Sequence, residues 1–224
     1  MVYHLGRLIL KTAFFFCIKS RVIGQSQVPQ QGGYLLACTH FSHTEPMCAT
    51  FLLDRPVDWV TRIEFYRFKP IAWLLRAIDT IPVNRRGVSV KAIRTAIARA
   101  KAGRVVGVFP EGGVALGAES VCRGGPIKKG ICMIACAAGV PIVPCVLLGT
   151  HKFNRMLPWL PIKQGKLWVA FGRPIEPLAA PRDRAFASLR RANRAAMALE
   201  LQERFSLLYD ELRQKYGIED SSIP

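Results

Sequence analysis

Apolar residues in this chain fall into short continuous runs separated by longer stretches with a helical period. The runs at residues 33–38, 57–61, 104–109, 142–148 and 166–171 have strand length and are bounded by turn residues, so they predict buried strands. A shorter run at 80–83 predicts one more. Between them, Pro46 suits the first turn of a helix, and residues 64–78 form an apolar, aromatic helical segment that Pro70 interrupts. Ser89 reads as a cap for a helix with Ile93, Ala96, Ile97 and Ala100 on one face and Gly103 as its stop. Residues 129–138 predict another helix, ended by Gly139. Strands alternating with helices predict an α/β fold, with a mixed, mostly parallel sheet flanked by helices. Residues 183–216 predict a long helix or two, with Leu189, Ala192, Ala196, Leu199, Glu203 and Leu207 too mixed to define one stripe.

The N-terminal pattern differs. Residues 8–18 are apolar apart from Lys11 and Thr12, and Lys19 and Arg21 close the run. It is shorter than the roughly 20 residues a bilayer span needs. No small-residue cleavage pattern follows it, as a signal peptide would require. At about 100° per residue, His4, Arg7, Lys11 and Lys19 share one arc of a helix, with Leu5, Ile9, Ala13, Phe16 and Cys17 on the other side. Residues 1–24 are therefore expected to form an amphipathic helix. It suits a membrane interface, with cations at the head groups, and equally a helix packed on the protein's own core. Residues 25–33 read as the linker into the core. The resulting scheme is a membrane-associating helix at 1–24, an α/β domain at 25–180, and a C-terminal helical extension of that domain at 181–224.

Composition narrows the class. At 224 residues, half of them hydrophobic, the chain supports one sizeable core. A formal charge of +17 favours an anionic partner: nucleic acid, an anionic lipid surface, or an acidic or phosphorylated substrate. Arg182, Arg184, Arg190, Arg191 and Arg194 make the start of the last helical segment strongly basic, as a solvated face also would. The seven cysteines are odd in number, lie mostly in apolar stretches and lack metal-ligand spacing. They read as reduced core residues of a cytosolic compartment rather than a disulfide framework.

Candidate chemistry lies just past two of the strands. His40 follows the first run, and Glu45 is five residues further on. A carboxylate at that distance can hold one imidazole nitrogen while the other accepts a proton, and imidazole has a suitable pKa without much tuning. The second cluster is Phe109-Pro110-Glu111-Gly112-Gly113, with the composition of a substrate loop. Ser42 suits a cap or a loop contact better than a nucleophile. A metal site on His40, His43 and Glu45 lacks a fourth ligand at suggestive spacing. Cys38 sits in a buried-strand pattern, where a thiol is inert. A non-enzymatic basic module for membrane or nucleic acid is the alternative reading, although no nucleic-acid motif is present.

Four ordered blocks carry a resemblance. The chain resembles the glycerolipid acyltransferase family, of the lysophosphatidate (1-acylglycerol-3-phosphate) acyltransferase type, over roughly residues 30–175. Residues 39–46 resemble its His-x4-Asp block, Ile81-Pro82-Val83-Asn84-Arg85 its Arg-containing block, Phe109 to Gly113 its Phe-Pro-Glu-Gly block, and Val140-Pro141-Ile142-Val143-Pro144 its Pro-bearing apolar strand. Lys128-Lys129-Gly130 matches the usual basic-Gly step. The resemblance implies His40 as general base, Glu45 as its partner, Arg85 as a phosphate contact, and Glu111 with Gly112 and Gly113 in substrate binding. It implies transfer of a fatty acyl group, from acyl-CoA or acyl carrier protein as co-substrate and with no other cofactor, to the hydroxyl of a lysolipid. It also implies a peripheral position on the cytoplasmic face of an anionic membrane, with no nucleic-acid partner. Two positions depart from the family: Glu45 replaces the commoner aspartate, and Gly113-Val114 replaces Thr-Arg. Arg123 and Lys128 are the candidate replacements for the missing cation.

Overall fold

In a computed structural model the described residues are 18–84, 89–155, 165–181 and 183–219. Seven strands form one sheet: β1 (Ile18–Ile23), β2 (Tyr34–Cys38), β3 (Val57–Arg62), β4 (Ile81–Val83), β5 (Val105–Val108), β6 (Ile142–Leu148) and β7 (Gly165–Phe171). Their order is β1-β7-β6-β2-β5-β3-β4. Every neighbouring pair is parallel except β6 with β7, so the sheet is mixed and mostly parallel as expected. The helices are α1 (Glu45–Leu52), α2 (Lys69–Ala77), α3 (Val90–Lys101), α4 (Gly130–Ala138) and α5 (Ala187–Tyr216).

The central strands are apolar throughout because both their faces are covered. In β2, Leu35 and Ala37 enter one core layer, while Tyr34, Leu36 and Cys38 enter the other. α3, α4 and α5 cover the first layer through Ala96, Ile131, Ala135, Leu201 and Phe205. α1 covers the second through Cys48 and Ala49, with Phe153 beside it. β3 is tied to α3 by ion pairing, since buried Asp58 lies 3.2 Å from Arg99 and 2.6 Å from Arg104.

The helix expected over residues 1–24 is corrected where the chain is described. Ile18–Ile23 is β1, paired in parallel with β7. Ile18 and Ile23 are buried at its two ends, in opposite core layers, while Lys19 and Arg21 between them are exposed. Lys19 and Arg21, which read as the end of a helical run, are the outward positions of an edge strand. The first 17 residues of that expected helix lie outside the described residues. The sheet therefore begins before residue 25. The segment expected as one interrupted helix over 64–78 divides at Phe68 into a 3-10 turn, Ile63–Arg67, and α2, whose first turn holds Pro70.

Candidate active site

His40 stands two residues past the end of β2, and Phe109 directly follows β5, the neighbouring strand. Both lie at the carboxyl ends of central parallel strands, where α/β sheets hold their sites. The His40 Nδ1 atom is 3.0 Å from Glu45 Oε2. Glu45 opens α1 and is 0% exposed, while His40 is 8% exposed. The Glu45 carboxylate also accepts from the Ser42 N–H, at 2.8 Å to Oε1 and 3.0 Å to Oε2, and from the Thr150 hydroxyl. Three donors compensate the burial of this charge and hold its direction. With Nδ1–H engaged by Glu45, Nε2 is the nitrogen left to accept a proton.

An aromatic stack fixes the imidazole plane. The Phe109 ring lies 4.1 Å from the His40 ring at 22°, and Trp59 lies 5.2 Å beyond Phe109 at 16°. Trp59 Nε1 donates to Thr50 Oγ1 at 2.9 Å. Gly107 is required here, because a Cβ on it would collide with the Trp59 ring.

Glu111 joins the two loops. Its Oε2 accepts from the His40 N–H at 2.7 Å, and its Oε1 accepts from the Val121 N–H at 3.1 Å and the Ser120 hydroxyl at 3.3 Å. The Ala115 N–H returns to the His40 carbonyl at 2.9 Å. Burial pushes the Glu111 carboxyl up to about 7, against the opposing effect of the Val121 and His40 donors. Its carboxylate is thus engaged with the protein's own backbone.

Gly112 has φ +76, and a Cβ there would meet the Lys128 side chain, which crosses it. Lys128 N–H donates to the Pro110 carbonyl at 2.9 Å, and Gly112 N–H to the Phe109 carbonyl at 3.0 Å. Beside this turn lies a cavity of about 290 Å³, whose apolar wall includes Val60, Val83, Ile93 and Ile134 and whose polar groups include Arg62, Asn84 and Lys128. Phe109 and Gly112 also line it, so it adjoins the His40 stack.

The structure thus brings together His40 on the loop after β2, Glu45 at the start of α1, Glu111, Gly112 and Gly113 on the loop after β5, and Lys128 ahead of α4. Arg123 points elsewhere: its Nη2 donates to Tyr209 on α5 at 3.4 Å. Arg85 lies outside the described residues. Burial pushes the Cys38 thiol well above its usual range, consistent with a core role. Thr150, Trp59 and Arg62 were missed by sequence reasoning. Thr150 lies two residues past β6, and only the pairing of β6 with β2 brings it to Glu45.

The family model described as Acyltransferase matches residues 19–148, more than half of the chain and both loops of this site. The chain belongs to the acyltransferase family. It is 28% identical over 196 residues to a 1-acyl-sn-glycerol-3-phosphate acyltransferase of Bacillus subtilis, covering 87% of this chain and 90% of that protein. A relative of the same name from Borreliella burgdorferi is 26% identical, over 61% of this chain and 54% of its own length. The fold is that of the 1-acyl-sn-glycerophosphate acyltransferase PlsC of Thermotoga maritima, with TM-score 0.58 and 20% identity, covering 89% of this chain and 81% of that one. No helix among the described residues is long and apolar enough to cross a membrane.

Proposed function

We propose that this acyltransferase moves a fatty acyl group from a thioester, acyl-CoA or acyl carrier protein, to the free hydroxyl of a lysophosphatidate-like acceptor. The observation that carries this reading is the buried His40–Glu45 pair, 3.0 Å apart, beside an apolar cavity with a cationic edge. His40 Nε2 takes the acceptor hydroxyl proton as its oxygen attacks the thioester carbon. The tetrahedral intermediate then expels the thiolate, which takes the proton from the imidazolium. Glu45 stabilises the imidazolium between these steps. Of the two loop glycines, Gly112 has its N–H committed to the Phe109 carbonyl, which leaves the Gly113 N–H as the candidate donor to the oxyanion. Lys128, with Arg62 beside it, supplies the positive charge for an acceptor phosphate, in place of the arginine that Val114 replaces. The cytoplasmic face of an anionic membrane is the expected working surface.

The test is transfer of labelled acyl chains from each thioester to a panel of lysolipids. His40→Ala should lower kcat by at least about a thousandfold, because the base and proton donor are lost together. Lys128→Ala should act mainly on KM for phosphate-bearing acceptors. Full activity in His40→Ala would overturn the mechanism.

A further inference from the structure

The segment following β3 exposes large apolar side chains next to the cavity. In the Ile63–Arg67 turn and α2, Ile63, Phe65, Phe68, Ile71, Trp73 and Leu74 are all exposed, with Phe68 at 60% and Trp73 at 64%. Of the α2 residues only Ala72 is buried, at 3%. At about 100° per residue, Leu74 lies nearly opposite Ala72, with Trp73 and Ile71 to either side, so the helix turns its apolar arc to solvent. An amphipathic helix of a soluble domain normally does the reverse. α2 folds back on the Ile63–Arg67 turn, so the exposed side chains belong to one patch. A concentration of this kind marks an interaction surface.

The neighbouring charge selects the partner. Arg62, Arg67, Lys69 and Arg76 are exposed along the same segment, and Glu64, its one acid, lies 3.6 Å from Arg62. Protein interfaces are depleted of lysine and of charge at their centres, whereas aromatic and aliphatic side chains interleaved with cations suit the head-group and acyl boundary of an anionic bilayer. Position agrees. Arg62 and Val60 line the active-site cavity, and the apolar segment begins at the next residue, Ile63.

We infer that residues 63–76 are a membrane-docking face, on which the catalytic domain rests against an anionic phospholipid surface with its cavity mouth at the lipid. The inference rests on the acyl-transfer reading only for its purpose, namely delivery of a lipid acceptor to the cavity. Docking itself is independent of turnover. Phe68 and Trp73 enter the interface, while Arg67 and Lys69 meet lipid phosphates.

Sedimentation of the full chain with vesicles of phosphatidylcholine, with and without phosphatidylglycerol, tests it. Phe68→Ser/Trp73→Ser should weaken partition about tenfold on anionic vesicles, because buried apolar area sets much of the affinity. Arg67→Gln/Lys69→Gln should weaken it roughly fivefold per cation on anionic vesicles and little on neutral ones. Transfer to a monomeric short-chain lysolipid should stay within about twofold of the parent, while transfer to a vesicle-embedded acceptor falls with binding. If the serine pair compromises folding, the glutamine pair decides the matter alone. Unchanged partition of the folded variants, or a parent that binds no anionic vesicle, overturns the proposal. So does a parent dimer that the serine pair dissociates while vesicle binding persists, since the face would then cover a second copy. A parent that binds vesicles but acylates no acceptor overturns the acyl-transfer reading and leaves docking standing.

Discussion

The longer carboxylate of Glu45 is accommodated by a specific set of partners. Its Oε2 faces His40, its Oε1 accepts from Thr150, and the Ser42 N–H closes the loop between them. An aspartate on the same backbone would retract both oxygens by about one C–C bond and could not keep His40 and Thr150 together. Glu45→Asp should therefore lower kcat about tenfold, and Thr150→Val by a similar factor, with Thr150→Ser restoring most of the rate. The double variant should be little worse than either single one, because both act through one carboxylate; additive losses in the kinetic cycle would argue against this coupling. At this scale the pairing of His40 with Glu45 was legible, since their spacing suggested it and the two side chains do meet. It could not show Thr150, which lies 105 residues from Glu45 and meets it only because β6 runs beside β2.

The loop after β5 acts as an element through Glu111, which clamps the His40 backbone to the turn at Val121–Arg123. The resemblance implied acceptor binding for this residue, and the hydrogen bonds add a positioning role that no motif states. Because burial raises its folded pKa to about 7, Glu111 holds a proton in the folded state that the unfolded chain has already lost. Stability contributed by this group is then greatest below its unfolded pKa of about 4.3, declines as pH rises, and levels off above about 7. In Glu111→Gln that decline should be absent, so the stability of the parent relative to the variant should fall across this window. Urea midpoints at successive pH values measure it, and a gap independent of pH would contradict the assignment. Activity should move oppositely in the parent, since the ionised carboxylate accepts from both backbone donors. Most elements were legible from their apolar runs, including β2, β5 and β6. β1 was not, because its six residues, Ile-Lys-Ser-Arg-Val-Ile, show neither a continuous apolar run nor strict alternation, and only pairing with β7 makes them a strand.

At the scale of the molecule, α5 closes one face of the sheet. Its apolar positions seemed mixed along the sequence, yet packing selects Met197, Leu201, Phe205, Leu208 and Leu212 as the inward stripe and leaves Leu199 and Leu207 exposed. Phe205→Ala should cost about 3–5 kcal/mol in urea unfolding, whereas Leu207→Ala should stay within about 0.5 kcal/mol. Similar costs at the two positions would mean that the stripe is wrongly placed. The sequence by itself determined the α/β class, the existence of six of the seven strands among the described residues, and the reaction family, because short-range apolar runs and contiguous blocks express local chemistry. The order of the strands, the Trp59–Phe109–His40 stack, the Thr150 contact and the outward turn of α2 were decided only in three dimensions. Each depends on which distant segments become neighbours, and that is set by burial of both faces of one sheet rather than by any local pattern.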